Sequence, residues 1–205
     1  KVLKVIGEKG VHETEMQSIL LDKGIVYDFP ASVEQEAERV AEEFRNQDLQ
    51  FGGARKDFRN TITFTIDPVD AKDFDDALSY RDLGDGKIEV GVHIADVSHF
   101  VRPGSELDKE ARKRAFSTYL VDRTIPMLPE VISNELCSLM PNVDRFAFSS
   151  VFEIEKATGK ILDRWFGKTI INSDKRFSYE EAQEVLNFAG RETLNSESRG
   201  NPLGR

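Results

Sequence analysis

Apolar and polar positions along the chain change period near residue 58. Before it, Val33, Ala37, Val40, Ala41 and Phe44 recur at helical spacing. Thr14 with Gln17, and Ser32 with Gln35, have the spacing of capping boxes, so the pattern predicts two helices, the first stopped by Gly24. Val2, Leu3, Val5 and Ile6 read as a short strand ending at Gly7, and residues 46–57, polar with a Gly pair, as a loop. After residue 58, TITFTID (61–67) is β-branched and aromatic, as strands are. LSYRDL (78–83), GDG and KIEVGVHIADVSHFV (87–101) predict a hairpin. Ser105 with Asp108 caps a helix expected to reach about Tyr119, and Pro126, Pro129 and Pro141 frame a loop-rich stretch with one short helix. Strands over 146–155 and 161–172 are joined at Thr158-Gly159, and Ser178 with Glu181 caps a last helix to about Phe188. Consecutive strands without regular intervening helices predict an α+β fold: a mixed, largely antiparallel sheet built on hairpins with flanking helices. Phe146, Phe148 and Phe152 on one strand face, with Trp165 and Phe166, are expected in the core.

Composition narrows the function classes. The chain has 205 residues, 28 Lys+Arg against 37 Asp+Glu, and a net charge of -9. No stretch approaches 18 consecutive apolar residues, so no membrane span is expected. The single cysteine leaves no pair for a disulfide and no multi-cysteine zinc site, and with no apolar leader the default setting is reducing and cytoplasmic. The acidic balance argues against a protein that simply coats nucleic acid. The excess lies in the first hundred residues, however, and residues 101–205 are neutral with 16 basic side chains.

Part of that excess is a dense cluster. In IDPVDAKDFDDA (66–77), Asp67, Asp70, Asp73, Asp75 and Asp76 are offset by one Lys72. Two carboxylates about 5 Å apart repel by roughly 3 kcal/mol at an effective dielectric near 20. A folded loop that collects several must expose them, protonate some or bind a cation. The EF-hand spacing fails, because counting from Asp73 the sixth position is Leu78 rather than Gly. Hard oxygen ligands without His or Cys suit Mg²⁺ or Mn²⁺ and two-metal phosphodiester chemistry; the bland reading is a solvated acidic loop. KEARKR (109–114), Arg102, Arg123 and Lys175-Arg176 read mainly as solvated surface, with phosphate contact as the functional alternative. His93, Asp96 and Cys137 read as structural groups.

At these residues a family emerges. TIDPVDAKDFDDA (65–77) resembles the catalytic signature of the ribonuclease II/ribonuclease R family, whose catalytic domain is called RNB. EVGVHIADVSHFV (89–101), YLVDRTIPMLPEVISNELCSL (119–139) and INSDKRFSYEEAQ (171–183) are similar to further family motifs, in order. AKDFDDAL and the 119–139 block are most similar to the bacterial ribonuclease R branch. The resemblance implies an exoribonuclease II type hydrolase that degrades RNA 3′→5′ from a single-stranded end, with Mg²⁺ (or Mn²⁺), to nucleoside 5′-monophosphates. It implies partners among RNA-degradation or ribosome-associated proteins and none in a membrane. By motif position Asp67, Asp73, Asp75 and Asp76 match the four active-site aspartates: Asp75 the one most directly required, Asp73 beside it in catalysis and metal binding, and Asp67 and Asp76 metal ligands. Tyr119 matches a tyrosine that stacks near the 3′-terminal nucleotide, where the residue pattern alone also allows a core tyrosine at a helix end. The resemblance further implies a fragment: 1–55 the end of a cold-shock domain plus a helical linker, 56–188 the first part of the catalytic domain, and 189–205 a polar tail. Without the family's later half, the residue-level alternative is a catalytically incomplete RNA-binding or interaction module.

Overall fold

The computed structural model describes residues 5–46 and 55–199, with side chains to residue 189. The fold is mixed α+β with a mostly antiparallel sheet. Its residues group into two compact units, one of 1–45 with 101–131 and the other of 46–100 with 132–205. Among the described residues no helix is long and apolar enough to cross a membrane.

The first unit is helical. α1 (His12–Asp22) starts two residues before the expected cap. Thr14 is buried inside it, and Glu15 reaches back to accept from the Gly10 N–H at 2.9 Å. Its end is as the sequence predicts: Gly24 takes φ +70° and the Ile25 N–H closes on the Leu20 carbonyl. α2 (Ala31–Arg45) begins just after Pro30, whose carbonyl accepts from Val33 and Glu34, so Ser32 lies within the helix rather than capping it. Its buried stripe is Val33, Ala37, Ala41 and Phe44. α4 (Glu106–Arg114) packs against it with Leu107 and Ala111, its N-terminus capped by Ser105 Oγ accepting from Asp108 N–H. It stops five residues short of Tyr119, because Ala115 turns to φ +69°. A two-stranded ribbon follows, β5 (Thr118–Tyr119) with β6 (Thr124–Ile125).

The second unit is built on β1 (Lys56–Asp57), β2 (Ile62–Asp67), β3 (Asp76–Gly84), β4 (Lys87–Ala95), β7 (Asp144–Glu155), β8 (Ile161–Asn172) and β9 (Lys175–Ser178). β4 is shorter than expected, because after Asp96 the chain enters the short helix α3 (Val97–Phe100). A π-helical turn, Val131–Cys137, precedes β7, and α5 (Tyr179–Arg199) follows β9, running past Phe188. Residues 1–4 of the expected first strand lie outside the described residues, and Val5 and Ile6 are not in a strand.

The sheet order is β1-β8-β7-β4-β3-β2-β9. Its two ends are parts of the same two chain segments. β1 bends into β2, β8 bends into β9, and these segments pair in parallel, from Lys56↔Thr169 to Asp67↔Ser178. Between these pairs Phe58 N–H donates to the Ile170 carbonyl and Asp174 N–H to the Thr63 carbonyl. The sheet therefore closes on itself. Its inner face is narrow and takes small side chains: Thr63, Thr65, Ala77, Ser79, Ala147, Ser149, Val151 and Thr169 are all buried. His93, with the buried Phe58 against it, is a large exception, and Gly91 makes room for it, since a Cβ there would lie 2.6 Å from His93 Nε2.

This closure corrects the expected core. Phe146 is buried, but Phe148 and Phe166 lie on the outer face and are 48% and 54% exposed, while Phe152 and Trp165 are half-buried. Alternation along β7 points Ala147, Ser149 and Val151 inward, and an aromatic there would not fit. His93 is hydrogen-bonded as expected, to Ser149 Oγ at 2.6 Å and Ser79 Oγ at 2.8 Å, with Phe58 edge-on at 5.3 Å.

Candidate active site

Asp67 ends β2 on the inner face, and Asp76 opens β3 at the same rim of the closed sheet. The β2–β3 register pairs Phe64 with Leu78, and carried on toward the turn it sets Asp67 opposite Asp75. Residues opposite one another in an antiparallel pair share a face, so both carboxylates belong to one rim. The turn between them is held at several points. Ala71 N–H donates to the Pro68 carbonyl at 3.0 Å and Ala95 N–H to the Asp75 carbonyl at 2.9 Å. Phe74 is buried, whereas Asp73, Asp75 and Asp76 on either side of it are exposed. One apolar anchor thus holds the loop while its neighbours present carboxylates to solvent.

Asp67 differs from the other three in being buried. Its Oδ2 has no hydrogen-bond partner among the described residues. Burial pushes its carboxyl above the ordinary aspartate range and the charges of Asp76 and then of Asp75 add to this, while the Thr65 hydroxyl and then Arg176 offset part. Asp75 is also raised, first by desolvation where the loop crowds it and then by the charges of Asp76 and Asp73. The cluster therefore carries more negative charge than its surroundings compensate. Among the described residues no three Asp, Glu, His or Cys side chains converge into a ready-made metal group. The aspartates form a string of neighbours, not a closed cage. The donor set still fits a hard divalent cation in kind: every donor is a carboxylate oxygen, and one buried oxygen has no partner. Asp70 sits in the turn, exposed.

Arg176 is the residue that sequence reasoning misplaced. Expected as surface, it is half-buried beneath the acidic loop, donates to the Pro68 carbonyl and lies 5.4 Å from the Phe74 ring centroid. Its Nε is buried without a partner among the described residues. The four residues KRFS gave too short a pattern to mark β9, whose pairing with β2 brings Arg176 there. Five of the other basic candidates are satisfied locally. Lys109 pairs with Glu106, Arg112 with Asp108, Lys113 and Arg114 with Glu110, and Arg123 with Asp122 and Glu13.

Asp96 is not one of the carboxylates at the rim. Although burial opposes its charge, Ser98 and Arg55 (2.5 Å), with Lys168 beyond, outweigh it and hold the carboxyl below the ordinary range. Cys137 is buried and its thiol is pushed up to about 12 by desolvation, so it is no nucleophile. Tyr119 lies in the other compact unit, on β5 opposite Thr124, and is 73% exposed; it is neither core nor at a helix end.

Comparison with known proteins extends this picture. The RNB domain family matches residues 55–199. The chain is 46% identical over 194 residues to the DIS3-like exonuclease 2 of Xenopus tropicalis, spanning 91% of this chain and 22% of that protein. It is 41% identical over 185 residues to ribonuclease R 1 of Lactococcus lactis, spanning 90% of this chain and 22% of the relative. Among solved structures, RNase R of Mycoplasma genitalium in complex with ribose methylated single-stranded RNA is similar at a TM-score of 0.79 and 32% identity, over 91% of this chain and 28% of that one. The chain thus spans 22–28% of the length of these relatives.

Proposed function

This chain belongs to the RNB domain family, and on that premise we propose that it carries the aspartate centre of a 3′→5′ hydrolytic exoribonuclease. The observation that supports this most is the rim itself: a buried Asp67 Oδ2, without a hydrogen-bond partner among the described residues, opposite Asp75, with Asp76 adjacent. Water attacks the last phosphorus of an RNA 3′ end, the bond from phosphorus to the upstream 3′ oxygen breaks, and a nucleoside 5′-monophosphate leaves. Asp67 and Asp76 are the metal ligands in this reading, with Asp73 supporting them. Mg²⁺, or Mn²⁺, bound there supplies the positive charge that offsets both the carboxylates and the phosphodiester. Asp75 orients the attacking water. Arg176 holds the loop from beneath. Tyr119 is the substrate-binding residue in this reading, its exposed ring a face on which an RNA base stacks. The partner is single-stranded RNA, and the compartment is the cytoplasm.

Incubating the intact protein with 5′-labelled oligoadenylate, with Mg²⁺ and then with EDTA, tests this. The expected result is a metal-dependent ladder shortening from the 3′ end. Binding without shortening overturns it in favour of a non-catalytic RNA-binding module.

A further inference from the structure

The backbone between Asp73 and Asp75 is pinned by one hydroxyl from a distant segment. Ser138 Oγ accepts from the Phe74 N–H at 3.1 Å and donates to the Lys72 carbonyl at 3.0 Å. The next residue completes the contact, Leu139 N–H donating to the Phe74 carbonyl at 2.7 Å. Both polar backbone groups of Phe74 are therefore taken by residues 138–139, and its ring is buried. Ser138 is itself 1% exposed, so bulk water cannot readily take the place of its hydroxyl.

Ser138 is in turn held in place. Arg145 Nε donates to the Ser138 carbonyl at 2.8 Å, and Arg145 Nη2 donates to the Glu135 carbonyl at 2.7 Å, inside the π-helical turn. π-helical turns are rare, and they recur beside functional sites because they redirect the residues that follow. Here the redirected residues are the pair that grips Phe74.

Phe74 points inward and its two neighbours are exposed. A rotation of the Phe74 backbone would swing the Asp73 and Asp75 carboxylates together. We propose that Ser138 is a positioning residue: acting through Phe74 and Lys72, it sets the direction in which Asp73 and Asp75 present their carboxylates for hydrolysis. What is positioned rests on the exoribonuclease reading; the hydrogen bonds that do the positioning do not.

The test compares the intact wild-type protein with Ser138→Ala, which loses the hydroxyl, and Ser138→Thr, which keeps it. Three quantities are read: kcat and KM on oligoadenylate with Mg²⁺, amide exchange at Phe74 and Ser149, and the metal-free melting temperature. For Ser138→Ala, kcat is expected to fall about 10- to 100-fold, the range for a misplaced catalytic group, with KM within about twofold. Phe74 should lose exchange protection while Ser149, in β7, keeps it, and Ser138→Thr should recover most of kcat. An unchanged kcat in Ser138→Ala overturns the role. So does a fall matched by loss of protection throughout β7, which is what mere packing predicts. A wild-type protein that shortens no RNA overturns the exoribonuclease reading and the positioning role with it, and the wild-type arm alone makes that failure distinguishable.

Discussion

The Arg176 guanidinium donates to the carbonyl of Pro68, the residue after Asp67, across 108 positions of sequence. It also covers the Phe74 ring, so one side chain touches both the start of the acidic loop and its buried anchor. An Arg176→Met substitution keeps the apolar stem but removes the charge and the hydrogen bond. A hydrogen bond from a charged group is worth about 1.5–3 kcal/mol, and the exposed Pro68 carbonyl can recover part of that from water. Arg176→Met should therefore lower metal-free stability by about 1 kcal/mol, measured by urea unfolding, and slow hydrolysis about tenfold. Arg176→Lys, which keeps charge without the planar fork, should fall between. Wild-type turnover and stability in Arg176→Met would remove Arg176 from the site.

Asp75→Asn changes one oxygen for an amide at an exposed position. It leaves the Ala95 N–H to Asp75 carbonyl bond in place, because that bond uses the backbone. The fold should be untouched, and RNA binding in the intact protein should hold within about twofold. Hydrolysis should fall by roughly 10²-fold or more, the scale for removing a group that acts only in the transition state. Gel-shift and ladder assays on one preparation check both halves. Full turnover by this variant would exclude Asp75 from the chemistry.

Asp67 carries a cost in the absence of metal. Its carboxyl is raised by burial and by like charges. A raised carboxyl means the folded chain binds the proton more tightly than the unfolded one, so stability falls as pH rises from the unfolded value of 3.8 through the folded value. At neutral pH the penalty is present in full. Asp67→Asn removes it, so the metal-free variant should melt higher than wild type at pH 7. Each kcal/mol recovered shifts the melting temperature by about 2–4 °C for a chain of this size. The gain should vanish at pH values well below 3.8, where the wild-type carboxyl is neutral in both states. The same variant should lose hydrolysis, exchanging function for stability. A lower melting temperature at pH 7 would show that Asp67 is stabilising as an anion.

What the sequence made legible was local. The caps at Ser105 and Ser178 form as their spacing predicts, with Glu181 Oε2 accepting from the Ser178 N–H at 2.8 Å. The hairpins of β3 with β4 and β7 with β8 follow from alternation and from glycine turns. The four aspartates stood out because like charges rarely crowd without cause. Closure of the sheet did not stand out. It depends on parallel pairing of 56–67 with 169–178, and no short-range period encodes a partner so far away. Phe148 and Phe166 were misread for the same reason, since alternation says which residues share a face but not which face is inside. Arg176 and Ser138 were missed as parts of the site because each reaches it only through that long-range pairing or packing.

His93 gives a second pH signature, of opposite sign to that of Asp67. It is fully buried, and desolvation pushes its imidazole down to about 4 from an ordinary 6.5. The unfolded chain thus takes up a proton below 6.5 that the folded chain refuses until about 4. Stability contributed by the neutral ring is complete above 6.5 and is lost as pH falls toward 4, by about 3 kcal/mol from linkage. Asp67 and Asp75 pull the other way as the medium acidifies, so the wild-type curve alone mixes the two. A His93→Gln substitution isolates the ring: the amide can still bond Ser79 and Ser149 but cannot titrate. At pH 7.5 the variant should be the less stable protein, because it loses the fit against Phe58. Urea unfolding at steps from pH 7.5 to 4 should show that deficit shrinking by about 3 kcal/mol as the pH falls. Parallel curves for the two proteins would mean that the ring titrates alike in the folded and the unfolded chain, so that burial in the closed sheet does not hold it neutral.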